Sequence, residues 1–230
     1  MKNLILPLVF LLYTLGAVAQ TDSFRYTHDL HPSVPGLIVP TILIGYGFAA
    51  LKWQALKDFD NNVRNKVWVD HPHGTTNLDQ YLQFAPAAAV YVLNAAGVKG
   101  WHDFRDRTVI YVLANAFMAV PAYSIKKTVN SPRPDGSDNS GLPSGHAAVA
   151  FVAAEFLRQE FRDKSIWYGI AGYTVAAGTS YLRLYNDQHW FSQLATGAGI
   201  GILAAQASYW IFPWVERKFL PARHHKIELN

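Results

Sequence analysis

Pro143-Ser144-Gly145-His146-Ala147-Ala148-Val149-Ala150-Phe151-Val152-Ala153-Ala154-Glu155-Phe156-Leu157 joins a helix-opening signal to an apolar block, residues 147–157. That block falls short of the roughly 17 residues that cross a bilayer, and it carries Glu155. A bundle of buried helices in a soluble protein would explain this block, and the marginal block 84–98, better than membrane crossings do, and Glu155 could contact either a neighbouring helix or the functional site. Five longer apolar blocks surround residues 147–157, at residues 34–51, 84–98, 108–124, 165–182 and 194–215. They are built from Ala, Gly, Val, Ile and Leu, with Trp53, Trp167, Tyr168, Trp210 and Trp214 near their ends. Small residues let helices approach closely, and terminal aromatics suit a membrane interface. Four blocks reach spanning length, 84–98 is marginal and 147–157 is too short. Neither a β-alternation of any length nor a repeat period is present, so the expected fold is all-α. It is a bundle of about six core helices, multi-pass in a membrane, with the polar linkers 52–82, 99–107 and 130–141 between them.

The 230 residues suit one domain, residues 20–230, after a separate leader. Half the residues are hydrophobic and 16% are charged, a membrane-like balance, although the mean hydropathy of +0.04 is low for one. With no cysteine, disulfides and thiolate metal sites are excluded. A net charge of +4 without a long Lys/Arg run argues against nucleic acid. Lys2, the apolar run 4–15 and Ala17-Val18-Ala19 read as a signal peptide or N-terminal hydrophobic anchor over residues 1–19. Either places the chain in the cell envelope. If all six blocks cross, alternate linkers carry five and eleven Lys/Arg, leaving out Lys126, Arg133 and Arg183, and the richer face is cytoplasmic. A cleaved signal would leave Arg25 of that richer set outside, so the two expectations conflict.

Three patches lie in linkers of one predicted face: Lys126-Lys127-Thr128-Val129-Asn130-Ser131-Pro132-Arg133-Pro134, then Pro143-Ser144-Gly145-His146, then Arg183-Leu184-Tyr185-Asn186-Asp187-Gln188-His189 with Gln193 beyond. Together they read as a phosphate site. Lys126 offers a point charge, and Arg133 and Arg183 can each fork onto two phosphoryl oxygens. The Pro-Ser-Gly run marks a helix start, with Pro143 suited to the first turn and free amides aimed at an anion. Gly145 lets that backbone come close, and the Ser144 hydroxyl adds a donor. Of the imidazoles His146 and His189, one can attack phosphorus and the other can protonate the departing oxygen. Lys127 is better explained as a snorkelling side chain, Asp70-His71-Pro72-His73 as a loop, and His224-His225 as solvent-facing.

The three patches resemble, in order, the tripartite signature of the type 2 phosphatidic acid phosphatase and vanadium haloperoxidase superfamily: Lys-x6-Arg-Pro, Pro-Ser-Gly-His and Ser-Arg-x5-His-x3-Asp. The resemblance covers roughly residues 108–215. It implies a metal-free and cofactor-free phosphatase in which His189 becomes phosphorylated and His146 is the general acid. Lys126, Arg133, Arg183, Ser144 and the Gly145 amide would hold the phosphoryl group. A lipid phosphate is the implied substrate class and the membrane the implied partner, with the site facing the periplasm. The same resemblance includes soluble periplasmic acid phosphatases. The chain departs from the signature twice: Leu182 replaces Ser, and Gln193 replaces the Asp that orients the nucleophile. Gln193 is four residues from His189 and can reach its ring, but it brings no charge to stabilise an imidazolium. The analogous Asp-to-Asn change in a serine-protease triad costs about 10⁴ in rate. Asp187 is an alternative orienter, and a phosphate binder without turnover is the reading if neither residue serves.

Overall fold

Helix starts follow the short polar residues that bound the apolar blocks. Asp103 accepts the amide of Asp106 at 3.0 Å, Ser144 that of Ala147 at 3.4 Å and Ser165 that of Trp167 at 3.3 Å. Each satisfies an amide that the helix itself leaves unpaired. The computed structural model describes residues 34–220; the leader expected over residues 1–19, Arg25 and the His224-His225 pair lie outside them. Within that range the helices are α1 Val34–Ala50, α2 Gln54–Arg64, α3 Leu78–Leu82, α4 Ala85–Ala95, α5 Phe104–Thr128, α6 Gly145–Phe161, α7 Ile166–Tyr185 and α8 Phe191–Phe219. A π-helical turn, Asn65–Val69, extends α2. Among the described residues the fold is all-α, and its β pairing is confined to an isolated bridge between Ser131 and Ser140.

All six apolar blocks form helices. The linker expected at residues 52–82 does not stay irregular, because it contains α2, the π turn and α3. α2 is polar or small apart from Leu56, Phe59 and Val63, which share one face, so its sequence lacks an apolar block. It turns 98° away from α1 and lies across the end of the bundle.

α8 is the hub, and α1, α5 and α6 pack around it. Its glycines set how close they come. A Cβ on Gly197 would lie 2.5 Å from Ser144 O, and one on Gly201 would lie 2.4 Å from Ala148 O. Only bare backbone lets α6 approach at both turns. Around this seam Ala148, Val152, Ile200, Ala204, Ala114 and Met118 form one buried cluster. A second, with Val90, Ile110, Phe156, Phe161 and Tyr168, closes the far end.

α6 is interior. Glu155, fully buried, receives both guanidinium arms of Arg158 at 2.7 Å, the Tyr173 hydroxyl at 2.7 Å and Gln159 at 2.9 Å. It therefore serves the α6–α7 packing. Among the described residues two helices, α5 and α8, are long and apolar enough to cross a membrane, and the bent α1–α2 pair makes a third if counted as one span. The four spanning blocks expected reduce to that number because Thr174, Thr179, Ser180 and four tyrosines lower the apolar character of α7.

Candidate active site

The start of α6, the end of α5, the end of α7 and the start of α8 meet at one end of the bundle. Ser144 is the residue before α6, and its N–H donates to Gln193 O at 3.0 Å, tying the two helix starts together. Pro143 is thus one position outside the helix and not in its first turn, since Ser144 takes the capping role. The Ser144 side chain and carbonyl accept the amides of Ala147 and Ala148, at 3.4 and 3.0 Å. The amides of Gly145 and His146, in the first turn, are left unpaired by the helix and are the ones an anion could meet. A Cβ on Gly145 would meet nothing within 4 Å, so packing does not require glycine there and the space beside it is open.

His189 is 3% exposed, and its Nδ1 lies 2.9 Å from Gln193 Oε1. The Gln193 amide can point only one way. Its Nε2 donates to Pro132 O and to Ser131 Oγ, both at 3.0 Å, and its Oε1 accepts the Trp190 amide at 3.3 Å. A carbonyl can only accept and a backbone amide can only donate, so Oε1 must face the ring. Nδ1 therefore carries the proton, and the Nε2 lone pair of His189 is left for chemistry.

The cations arrive from three directions. Lys126, in the last turn of α5, donates to Ser140 O at 2.6 Å, while Lys127 turns toward the Tyr123 ring. Arg133 Nη1 and Arg183 Nη2 both donate to Gln188 Oε1, at 3.1 and 3.2 Å, so the two forks converge on one oxygen. Arg183 Nη1 is held by Asp79 Oδ2 at 2.6 Å. Arg133 Nε sits 2.9 Å from Asp138 Oδ2, close enough for an ion pair but misaligned for a hydrogen bond. The Nε atoms of both arginines are buried without a hydrogen-bond partner.

Both imidazoles feel these charges. Burial, then Arg183, Arg133 and Lys126 lower the pKa of His146 against an opposing pull from Asp79. His189 lies well below the ordinary histidine value, chiefly through burial, then through Arg133, Arg183 and Lys126, with the Gln193 hydrogen bond opposing. Residues spread from 126 to 193 in sequence thus share one pocket, and it gathers every residue singled out as catalytic or phosphate-binding.

The His189 ring makes its Nδ1 hydrogen bond with Gln193 and not with Asp187. The Asp187 carboxylate is occupied by Arg64 Nε and Nη2, each at 2.7 Å. The wall of the pocket comes from the segment read as a linker. Arg64 pairs with Asp187, and His73 stacks on Tyr185 with ring centroids 3.6 Å apart. Thr76 exchanges bonds with Asn186 at 2.9 and 2.8 Å, and Asp79 takes Arg183 and Asn186. The residue after this segment's π turn, Asp70, and its neighbour His71 are exposed, so His73 is a wall residue and not half of a metal pair.

The model of the PAP2 superfamily matches residues 107–217. A lipid A 1-phosphatase of Porphyromonas gingivalis is 33% identical over 153 residues, 66% of this chain and 34% of that protein. A lipid A 1-phosphatase of Helicobacter pylori is 27% identical over 110 residues, 43% of this chain and 56% of that protein. The chain therefore spans about a third and just over half the length of these curated relatives. A crystal structure of Aquifex aeolicus LpxE overlays with a TM-score of 0.42 at 19% identity, covering 77% of this chain and 96% of that one.

Proposed function

We propose, from the premise that residues 107–217 form a PAP2 superfamily domain, that the chain is a phosphatase acting on a lipid phosphate monoester or pyrophosphate through a phosphohistidine. The observation that supports this is the meeting of the three patches at one end of the bundle: Arg133 and Arg183 converge on Gln188 Oε1, His189 is bonded to Gln193, and Ser144 ties the start of the His146 helix to the same Gln193. The lipid class is supported by the apolar α5 and α8 and by relatives named lipid A 1-phosphatases. In this reading the chain is a cell-envelope membrane protein whose site faces the periplasm.

His189 Nε2 attacks phosphorus while Gln193 holds Nδ1–H, and His146 gives its proton to the leaving oxygen. A bound dianion would raise the pKa of His146 by Coulomb attraction and keep it protonated for that step. The phosphohistidine is then hydrolysed by a water that His146 deprotonates. Arg133, Arg183, Lys126 and the Gly145 amide spread over the equatorial oxygens, with Ser144 setting the helix start that aims the amide. No step uses a metal, because the three cations neutralise the developing charge.

Release of inorganic phosphate from a panel of lipid phosphates, including the 1-phosphate of lipid A, tests this in EDTA. Release should persist with chelator and vanish in His189→Ala. Release that needs added magnesium would overturn the mechanism.

A further inference from the structure

α7 ends in a turn in which Asp187 N–H donates to Leu184 O and Gln188 N–H to Arg183 O, each at 3.0 Å. Asp187 takes φ 56° in that turn, the left-handed conformation that glycine adopts without steric cost. A side chain kept at such a position needs another reason. Here the carboxylate is almost fully enclosed and forked by Arg64, the last residue of α2. The same guanidinium lies 5.7 Å over the ring of Trp190. Arg64 thus holds the residue two before His189 and the residue one after it.

One turn earlier on α2, Asp60 accepts the Ser192 amide at 3.1 Å and the Ser192 hydroxyl. Positions 60 and 64 share a helix face, so α2 straddles the His189 loop from one side. Asp60 also satisfies an amide in the first turn of α8, where negative charge is favoured. Trp190 carries the grip further, since its Nε1 donates to Pro132 O at 3.0 Å beside Arg133. α2 lies outside residues 107–217, so the matched domain does not contain this splint.

We propose that Arg64 and Asp187 form a clasp that positions His189 for attack, with Arg64 a positioning residue supplied by α2. The inference rests on the reading of His189 as nucleophile. Without the clasp the cradle still binds phosphate, but the imidazole samples orientations in which Nε2 is not in line with phosphorus. A misplacement of about 1 Å can cost about 100-fold in rate.

Asp187→Gly is the cleanest probe, because glycine keeps the turn and removes only the carboxylate. The full chain in detergent would be assayed beside Arg64→Ala, Arg64→Lys and the Arg64→Ala/Asp187→Gly double variant. Rates are counted per site able to bind inorganic phosphate, which separates misfolded protein from misaligned protein. Asp187→Gly and Arg64→Ala should each lose about 10- to 100-fold in kcat with KM changed less than about twofold. The double variant should be no slower than either single, since both remove one interaction. Arg64→Lys should recover part of the loss. Turnover of Asp187→Gly within about twofold of wild type, or single losses that multiply in the double, would overturn the clasp while leaving the phosphatase reading intact. Wild-type release that His189→Ala does not abolish would overturn that reading and the clasp with it.

Discussion

Gln193 stands where the resemblance leads one to expect a carboxylate, and its surroundings show how an amide can serve. Pro132 O and the Trp190 amide fix which end faces His189, so the tautomer is set without a negative charge. The trade is electrostatic. With no anion beside it, His189 is held neutral by burial and by Arg133, Arg183 and Lys126, and His146 is lowered by the same cations. A depressed imidazole pKa means that the neutral, nucleophilic form survives as pH falls through the ordinary histidine range and protonates only beneath it. In a ligand-free NMR titration in detergent, both rings should therefore titrate below about 6.5, with His189 the lower. A His189 midpoint above that value would contradict the site's electrostatics. The reach of Gln193 was legible from its four-residue spacing to His189. The fate of Asp187 was not, because its partner Arg64 lies 123 residues away in sequence.

The elements show the same division. Apolar blocks marked six helices correctly, because burial in a helical bundle and burial in lipid both demand them. α2 escaped, although Leu56, Phe59 and Val63 recur at helical spacing, because eight polar or small residues outweigh three apolar ones in an 11-residue helix. Phe59 and Tyr46 both set their rings edge-on to Phe191, anchoring that face on the bundle. The contact between α6 and α8 was also only half legible. Small residues announced close approach, but not that Gly197 and Gly201 face Ser144 O and Ala148 O. Gly201→Ala should lower unfolding stability by about 1–3 kcal/mol, because its methyl meets backbone that cannot rotate away. Gly145→Ala, whose methyl meets nothing within 4 Å, is the matched control and should leave stability unchanged. Equal unfolding midpoints for the two variants would show that α6 does not need the glycine seam.

At the scale of the whole molecule, the placement of all three patches in linkers of one face was readable from their order along alternating blocks. Their convergence on one pocket follows from α8 acting as the hub for α1, α5 and α6. The number of crossings was not readable. Hydropathy does not distinguish a helix surrounded by helices from one surrounded by lipid, and α6, with buried Glu155, Gln159 and Glu160, is of the first kind. The outer wall was hidden for a related reason: Arg64, Thr76 and Asp79 are ordinary polar residues until folding sets them against residues 183–187. In the proposed mechanism the assembled pocket places one imidazole nitrogen, His189 Nε2, against phosphorus. The most direct measurement is to quench turnover of a ³²P-labelled lipid phosphate in alkali and locate the label by peptide mass spectrometry. The label should sit on His189 and be absent from His189→Ala; label on another residue, or none in an active wild-type enzyme, would contradict a phosphohistidine at this position.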